Sequence, residues 1–402
     1  MKKEVNPLDI LVLSHNDAKG GAARAALRWL LCFSNNDISS QLLVAKKFTS
    51  NDLVIELEYF RKNLSKFLSR LDIFVCKIID PIGNEWKSSG YFGSISARSL
   101  NKKNFSVLNI HWIGHGLISL RQLRKINKPI IWTLHDEWIL NPFSHYKNYS
   151  ANNVSLITNI LRNQAIKSKN KLIMRDNFYF LCLTKSLADK LIERYPLKKD
   201  HISVIPNPLD LSTFYPDKND WDFNGLKINQ PYFLFLGGIS DRRKGWDLLQ
   251  ESIKVTNSQF TLVLVGNLEV NDFFIKDKAR VITINEITDI NLLRKFYSNA
   301  RAVLIPSRAE QLPQVATESI SCGTPVIAYN VDGLRDIIVP HETGLLINAF
   351  DTTSFGLAID ELVSMNEDIW DSKCLDFALN NFSYKVVAVK FKKLLDLVSV
   401  TS

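Results

Sequence analysis

The chain has 402 residues, of which 46% are apolar and 23% are charged, and its formal net charge is +9. This is the balance of a globular protein with two or three domains, and it excludes a disordered chain. No run of about 18 uncharged apolar residues occurs, so the sequence predicts no membrane-spanning segment.

Short apolar segments alternate with helical patterns along the first half, which indicates parallel strands joined by helices. We expect strands at Asp9–Ser14, Ser40–Ala45, Val107–Trp112, Pro129–Leu134 and Tyr179–Thr184. We expect helices at Ala22–Cys32, Gly116–Ile126 and Ser186–Arg194, and helical spacing also runs over Phe60–Asp80.

The second half repeats the scheme after a proline-rich hinge at Ile205–Pro216. Strands are expected at Tyr232–Leu236, Thr261–Val265, Arg280–Ile284, Ala302–Ile305, Pro325–Tyr329 and Gly344–Ile347. Helices are expected at Gly245–Thr256, Ile290–Asn299, Pro313–Cys322, Leu334–Ile338, Thr353–Met365 and near Lys385–Val398. The predicted fold is therefore α/β, with two Rossmann-like doubly wound domains facing a central cleft, where ligands of such folds bind.

Two strand ends in the first half carry candidate functional residues. Gly20 and Gly21 follow the first strand and precede a helix, which suits either a phosphate-binding loop or a structural turn. His135 and Asp136 follow the strand Pro129–Leu134, at the edge where such sheets keep functional polar groups; a structural histidine is the alternative. The neighbouring histidines lack the spacing of a zinc site.

Three cations, Arg242, Arg243 and Lys244, follow a glycine pair and precede a helix. Guanidinium and ammonium groups at the end of a parallel strand suit a diphosphate, although a solvated run of charge is the alternative.

Two glutamates, Glu310 and Glu318, lie on either side of the predicted start of the helix Pro313–Cys322. Carboxylates accept hydrogen bonds from sugar hydroxyls, and the amides of a helix N-terminus bind phosphate. The free amides of this helix start lie near Leu312–Val315. The pattern fits a nucleotide-sugar clamp, in which each glutamate holds one sugar of the donor. A helix with one incidental surface glutamate is the alternative.

The positive charge is concentrated in residues 1–200, while residues 201–402 carry a small excess of acidic groups. A basic domain suits an anionic membrane surface, a lipid pyrophosphate or nucleic acid, or is a solvated face without a partner. No nucleic-acid-binding motif accompanies the charge. The five cysteines are odd in number and form no CxxC pair, and the apolar stretch in MKKEVNPLDILVLS is too short for a signal peptide. Both features predict a cytoplasmic location.

Six stretches, taken in order, resemble the GT-B glycosyltransferases of glycosyltransferase family 4. They are DxxxGGAARAA from Asp17, TLHDEW, LTKSLADKL, VIPNPLDLSTF, RKGWDLL and PSRAEQLPQVATESISCGTPVIA. The resemblance implies an acceptor-binding domain at 1–205, a donor-binding domain at 206–380 and a final helix at 381–402 that crosses back to the first domain.

The resemblance also implies roles for individual residues. His135 and Glu310 would act at the reaction centre, and Glu318 would bind the donor ribose. The remaining donor-site positions are Gly20, Gly21, Arg243, Lys244, Leu312, Pro313, Gln314 and Val315. Arg24 and Asp136 would lie on the acceptor side. The arginine that the family has five residues before the lysine is Ile239 here, so Arg242 or Arg243 would supply that charge.

The activity implied by the resemblance is retaining transfer of a hexose-type sugar from a UDP- or GDP-sugar to a lipid-linked saccharide. The setting would be surface polysaccharide biosynthesis at the inner face of an anionic cell membrane, with no metal, cofactor or nucleic acid. Alternatives on the same fold are a nucleotide-sugar epimerase, which the Glu-x7-Glu pattern argues against, and a sugar phosphorylase. A non-catalytic partner subunit is a further alternative.

Overall fold

The structure is a computed structural model that describes residues 8–80, 86–146, 155–218, 232–266, 278–365 and 368–400. The chain divides into an N-terminal unit, Met1–Pro208 with Val387–Ser402, and a C-terminal unit, Leu209–Val386. From the sequence, we expected the boundaries between the units to fall after residues 205 and 380.

A seven-stranded parallel sheet forms the centre of the N-terminal unit, in the order β3-β2-β1-β4-β5-β6-β7. The strands are β1 Leu8–Asn16, β2 Ser40–Lys46, β3 Val54–Glu56, β4 Phe105–Ile110, β5 Ile130–Leu134, β6 Phe178–Cys182 and β7 Ile202–Val204. The helices are α1 Gly21–Ser34, α2 Tyr59–Ile79, α3 Ala97–Asn101, α4 Leu120–Leu123, α5 Leu156–Ile173 and α6 Lys185–Arg194. The central strands are mostly apolar because both faces of the sheet are covered, and in β5 all five side chains are buried.

A six-stranded parallel sheet forms the centre of the C-terminal unit, in the order β10-β9-β8-β11-β12-β13. Its strands are β8 Tyr232–Leu236, β9 Phe260–Val265, β10 Ala279–Ile284, β11 Ala302–Ile305, β12 Val326–Tyr329 and β13 Gly344–Ile347. Its helices are α7 Trp246–Lys254, α8 Ile290–Ser298, α9 Gln314–Ser321, α10 Leu334–Ile337, α11 Thr352–Ser364 and α12 Asp368–Asn381. The predicted doubly wound α/β class is confirmed.

Each sheet has one topological switch point, where successive connections leave in opposite directions. It lies between β1 and β4 in the N-terminal unit and between β8 and β11 in the C-terminal unit. Ligands of doubly wound sheets bind at the carboxyl ends of the strands at this point. The predicted site residues follow β1, β5, β8 and β11, so they lie at or beside these two places.

Helix α13, Tyr384–Val400, changes units at Val387. Within the N-terminal unit, the ring of Phe391 packs against two aromatic rings of α1. Its centroid lies 5.2 Å from that of Trp29 and 4.7 Å from that of Phe33. All three side chains are fully buried. The last helix therefore completes the core of the N-terminal unit, and the apolar face of α1 needs that cover.

The predicted helix Gly116–Ile126 is wrong in extent, because only Leu120–Leu123 is α-helical. Gly116 has a φ of +78°, which breaks helical geometry, and Ser119 caps a new start by accepting a hydrogen bond from the Gln122 amide at 3.3 Å. The preceding residues form a loop that packs closely, since a Cβ on Gly93 would lie 2.3 Å from the Ser119 nitrogen.

Helix α5 was not predicted. Its sequence, LITNILRNQAIKSKNKLI, has weak apolar periodicity, and its buried side chains include Thr158 and Lys169 as well as Ala165. The two outer strands β3 and β7, each three residues long, were also missed. Short strands at a sheet edge carry too few residues for an apolar pattern to stand out. The five cysteines are free and buried, as core residues.

Candidate active site

Glu310 lies in the loop after β11, at the switch point of the C-terminal sheet. It is 5% exposed, and its Oε1 accepts hydrogen bonds from Lys244 Nζ at 2.6 Å and from Arg243 Nη1 at 2.8 Å. Burial acts to raise the pKa of this carboxyl, but the charges of Lys244 and Arg243 outweigh burial and hold the pKa below its ordinary value. Glu310 is therefore a buried, ionised carboxylate beside two cations.

The turn that carries these cations is fixed by its own backbone. Asp241 Oδ1 accepts a hydrogen bond from the Arg243 amide at 3.0 Å and so caps a short 3-10 turn over Arg242–Lys244. Gly245 then has a φ of +71°, and a Cβ there would lie 1.9 Å from the carbonyl oxygen of Pro306. Only glycine lets the turn approach the end of β11 this closely, which is what brings Lys244 to Glu310.

Arg308 ties the same turn to the loop after β11. Its guanidinium makes two parallel hydrogen bonds of 2.7 Å to the carboxylate of Asp247 and a third, of 2.9 Å, to the carbonyl oxygen of Arg242. Its amide also donates to the carbonyl oxygen of Arg243 at 2.8 Å. Sequence reasoning missed this pair, because Arg308 and Asp247 lie in two separate motifs 61 residues apart and no local pattern links the motifs.

Glu318 lies in the second turn of α9 and is 4% exposed. Its Oε2 accepts a hydrogen bond from the Tyr297 hydroxyl at 2.8 Å, which orients the carboxylate. Pro313 is the N-cap of α9 rather than its first helical residue, so the helix opens at Gln314 and Val315, both partly exposed. The helix ends before Gly323, whose φ of +81° matches the predicted stop.

The turn after β1 in the N-terminal unit is built on a buried aspartate. Asp17 is fully buried and accepts hydrogen bonds from the amides of Phe48 and Thr49, at 2.8 and 2.9 Å. Gly20 follows with a φ of +93°, and a Cβ on Gly20 would meet nothing within 4 Å. The conformation of the turn, rather than crowding, therefore requires glycine at this position.

Gly21 and Arg24 occupy the first turn of α1, and both are exposed. They stand at the carboxyl end of β1, as predicted for residues that face a ligand.

His135 follows β5 directly, and its ring lies edge to edge with the ring of His111, which follows β4. The ring centroids are 5.0 Å apart, and His135 Nε2 lies 2.8 Å from His111 Nδ1. Burial lowers the pKa of His135 to about 4, although the charge of Asp136 acts in the opposite direction. Burial also lowers the pKa of His111, which is 2% exposed. Both imidazoles are therefore neutral at neutral pH.

Asp136 has both carboxylate oxygens engaged within its own unit. Oδ2 lies 2.7 Å from His145 Nδ1, and Oδ1 accepts a hydrogen bond from the Trp138 amide at 2.8 Å. Burial acts to raise the pKa of Asp136, but His145, the Trp138 amide and His135 together outweigh burial and hold the pKa below its ordinary value. Asp136 thus anchors the loop that leaves the end of β5.

Lys169 of α5 holds the rest of that loop. It is fully buried, and its Nζ donates hydrogen bonds to the carbonyl oxygens of Trp138, Asn141 and Pro142, at 2.5, 2.6 and 3.1 Å. Nζ also lies 3.7 Å from the Trp138 ring centroid. Burial lowers the pKa of Lys169 well below its ordinary value. Sequence reasoning missed this residue together with its helix.

The structure thus forms two groups of predicted residues, one in each unit. Lys244, Arg243 and Glu310 meet in the C-terminal unit, where Arg242 is exposed and has no side-chain hydrogen bond to the described residues. His135 and Asp136 adjoin each other in the N-terminal unit. Across the described ranges, no group of three or more His, Cys, Asp or Glu side chains has the arrangement of a metal site.

Two family models match the chain. The model described as "Glycosyltransferase Family 4" matches residues 58–213, and the model described as "Glycosyl transferases group 1" matches residues 217–373. Together the two matches extend over most of the chain.

Two individual relatives each share less than a third of their aligned residues with this chain. A D-inositol 3-phosphate glycosyltransferase of Paenarthrobacter aurescens is 29% identical over 203 residues, which are 46% of this chain and 50% of that one. An uncharacterized 41.2 kDa protein in the cps region of Klebsiella pneumoniae is 26% identical over 71% of this chain and 77% of its own. The chain thus spans about half the length of the first relative.

A solved structure of Anabaena HepE in complex with UDP and glucose has the same fold. It superposes with a TM-score of 0.63 at 14% identity and covers 97% of this chain and 99% of that one. At this identity the likeness shows the fold alone.

Proposed function

The chain belongs to the group 1 glycosyltransferases of family 4, and on that basis we propose that it is a retaining glycosyltransferase. It transfers a hexose-type sugar from a UDP- or GDP-sugar to a lipid-linked saccharide acceptor during surface polysaccharide biosynthesis. The observation that carries the proposal is the buried, ionised Glu310, which two cations hold through a single oxygen.

The cations bind the donor diphosphate in this proposal. Lys244 and Arg243 supply two positive charges at the switch point, together with the N-terminus of α9, and they neutralise the leaving diphosphate without a metal. The carboxylate of Glu310 keeps Oε2 for the transferred sugar, since Oε2 receives no hydrogen bond from the described residues. That oxygen accepts from hydroxyls of the hexose.

The reaction needs no carboxylate nucleophile. A carboxylate with a lowered pKa and two cations on one oxygen is a poor nucleophile, so Glu310 orients the sugar instead. The acceptor oxygen forms the new bond to C1 on the face from which the diphosphate leaves. As the bond from C1 to the diphosphate oxygen breaks, the electron pair stays on that phosphate, which takes the acceptor's proton.

Glu318 holds the ribose of the donor. Tyr297 fixes the orientation of its carboxylate, and a buried carboxylate is a strong acceptor for the paired ribose hydroxyls. We propose uridine as the first base to test because the HepE structure contains UDP.

The N-terminal unit takes the acceptor. Gly20 and Gly21 leave open space at the end of β1, and the exposed Arg24 provides a charge for an acceptor diphosphate. His135 contacts the reacting sugar. Asp136 acts indirectly, because its oxygens are committed to His145 and Trp138.

Helix α2 supplies the membrane contact. Its inward residues are small or polar: Ser65, Asp72 and Cys76. Five of its large apolar side chains are more than half exposed, namely Tyr59 (83%), Phe60 (76%), Phe67 (62%), Phe74 (60%) and Ile78 (63%), whereas Leu64, Leu68, Leu71, Val75 and Ile79 are half-buried. The solvent face of the helix thus carries large apolar side chains, and a group of exposed apolar side chains of this size indicates an interaction surface.

Basic residues lie beside this face. Lys66, Arg70 and Lys77 are exposed, whereas Arg61 and Lys62 bond to Ser94 and Glu56 within the unit. An apolar stripe flanked by exposed cations fits the interface of an anionic bilayer. Among the described residues, no helix has the length and apolarity needed to pass through a bilayer.

Donor binding tests the proposal directly. UDP- and GDP-sugars are screened by thermal shift, where a donor at about 100 times its Kd adds about 2.7 kcal/mol to the stability of the folded protein. The donor found is then incubated with lipid-linked acceptors, and the anomeric configuration of the product is read by NMR. A folded protein that neither binds nor turns over any nucleotide sugar would contradict the proposal. Donor epimerisation, or transfer from a sugar phosphate, would instead establish an alternative enzyme.

A further inference from the structure

Three buried side chains form a hydrogen-bonded row at the ends of β4 and β5. Asn109 Oδ1 lies 2.8 Å from His111 Nε2, and His111 Nδ1 lies 2.8 Å from His135 Nε2. Asn109 is fully buried and His111 is 2% exposed, while His135 is partly exposed at the open end of the row. The first two residues have no place in the proposed activity.

The direction of every hydrogen bond in the row follows from Asn109. Its Nδ2 lies 2.9 Å from Thr133 Oγ1 and 3.2 Å from the carbonyl oxygen of Ile131. A carbonyl oxygen only accepts hydrogen bonds, so the NH2 group of the amide must face it. The amide oxygen of Asn109 therefore faces His111, and His111 must donate from Nε2.

The tautomer of His111 in turn determines the tautomer of His135. A neutral imidazole that donates from Nε2 accepts at Nδ1, so His111 Nδ1 accepts and His135 Nε2 donates. His135 then carries its proton on Nε2 and a lone pair on Nδ1. Within the described residues, Nδ1 of His135 has no hydrogen-bond partner. Asp136 and His145, the charged and titratable groups next to it, bond to each other instead.

We propose that Asn109 and His111 are positioning residues that fix the tautomer and ring orientation of His135, so that Nδ1 accepts a hydrogen bond from a hydroxyl of the substrate sugar. The inference rests on the proposed glycosyltransferase function for the identity of the hydroxyl. The row itself does not depend on that function. Without His111, the ring of His135 is free to flip and to exchange tautomers, which removes the acceptor from the site for part of the time.

Nitrogen-15 NMR reads the tautomer without any turnover. The full-length protein is labelled on its seven histidines, and ring nitrogen shifts and couplings are recorded between pH 6 and 8. We expect His135 and His111 in the Nε2–H form throughout this range. A proton on Nδ1 of His135, or a pH-dependent exchange of tautomers, would overturn the assignment.

Two substitutions of His111 separate shape from hydrogen bonding. His111→Phe keeps a planar ring but has no acceptor, whereas His111→Asn places an amide oxygen close to the position of Nδ1. We expect kcat to fall about tenfold or more in the phenylalanine variant and to recover to within about threefold in the asparagine variant. The Kd for UDP should stay within about threefold in both, because UDP binds the C-terminal unit.

His201→Asn is the matched control. His201 is another buried histidine of the same unit, with Nδ1 bonded to the carbonyl oxygen of Phe178 at 2.8 Å. This control substitution should leave the NMR spectrum of His135 and kcat unchanged. Equal kcat in the wild type and in folded His111→Phe would overturn the positioning role. Absence of turnover in the wild type would count against the glycosyltransferase function, while the NMR spectrum would still decide the tautomer.

Discussion

Lys244 Nζ lies 2.6 Å from Glu310 Oε1, across 66 residues of sequence, and Arg243 Nη1 shares the same oxygen at 2.8 Å. Arg243 Nη2 also pairs with Asp241 Oδ2 at 3.0 Å, so the two cations face two carboxylates, of which Glu310 is 5% exposed. The two carboxylates hold Lys244 and Arg243 in place, and an anion that binds here competes with them for the donors of these cations.

Replacement of Lys244 or Arg243 by alanine should weaken UDP binding. A charge-assisted hydrogen bond contributes about 1.5–3 kcal/mol, so the Kd should rise about 10- to 100-fold for each variant in isothermal titration calorimetry. Arg242→Ala is the control, since Arg242 is the same residue type in the same turn but its side chain is exposed. Equal losses in Arg242→Ala and Arg243→Ala would contradict the assignment of Arg243 as the arginine that binds the diphosphate.

Glu310→Gln should separate binding from turnover. The amide keeps the shape of the side chain but removes the charge that engages Lys244 and Arg243, so UDP should bind at least as tightly as in the wild type. Turnover should fall about 100-fold, because an amide is a weaker acceptor for the sugar hydroxyls and orients the hexose poorly. Calorimetry measures the Kd for UDP, and initial rates measure turnover. A variant that loses UDP binding but keeps kcat would contradict the proposal that Glu310 orients the sugar while Lys244 and Arg243 bind the diphosphate.

The sequence predicted the sheets and the polar ends of their strands well, because both follow from local patterns. The strands Tyr232–Leu236, Ala302–Ile305 and Gly344–Ile347 were placed correctly, and Gly323 marked the end of α9. Each is an apolar run or a glycine whose physical effect lies within a few residues of it.

The parts of the site that were missed depend on distant contacts. Lys169 supports the loop after His135 from a helix whose apolar pattern is weak, and Arg308 meets Asp247 only when the loop after β11 reaches the start of α7. The choice between Arg242 and Arg243 was open in the sequence, since adjacent arginines are equivalent until the backbone of the turn directs one of them inward. Long-range pairing of this kind has no local signal.

Arg308→Ala should lower donor affinity by loosening the turn that carries the cations. Its bidentate bond to Asp247 is partly exposed, and an ion pair of that kind contributes about 0.2–1 kcal/mol; the backbone bonds to the turn add to it. We expect the Kd for UDP to rise about fivefold, with a smaller rise for Asp247→Ala and a double mutant less impaired than the sum.

The surface pair Lys254 and Glu251 on α7 provides the control for Arg308, because it has the same 2.7 Å separation but no bond to the turn. Lys254→Ala should leave the Kd for UDP unchanged. Fully additive effects of Arg308→Ala and Asp247→Ala would remove the case for coupling between them.

Stability should fall as the pH is lowered from about 6.5 towards 4. Burial lowers the pKa of both His15 and His135 to about 4, and the charge of His115 adds to the effect on His15. In the unfolded chain a histidine titrates near pH 6.5. Between about pH 6.5 and pH 4 the unfolded state therefore binds more protons than the folded state, and the free energy of unfolding decreases as the pH falls. Each histidine contributes a slope of up to about 1.4 kcal/mol per pH unit in that window.

Urea unfolding at pH 7.5 and pH 5.0, at constant ionic strength, measures this slope. His135→Gln should flatten the pH dependence whatever its effect on absolute stability, because glutamine does not titrate. His341→Asn, at an exposed histidine of the C-terminal unit, should leave it unchanged. A free energy of unfolding that is the same at both pH values in the wild type would show that the buried histidines do not resist protonation.

The double variant Phe67→Ser with Phe74→Ser should release the protein from anionic membranes. Both side chains are about 60% exposed on α2 and contribute little to the core, so the fold should be retained. Insertion of each ring into the interface is favourable by about 1.5–3 kcal/mol, so loss of both should reduce flotation with anionic liposomes more than tenfold. Leu357→Ser is the control, because Leu357 is 51% exposed on α11 of the other unit. Equal flotation of wild type and double variant, or equal flotation of the wild type with neutral and anionic vesicles, would show that α2 does not dock on the membrane.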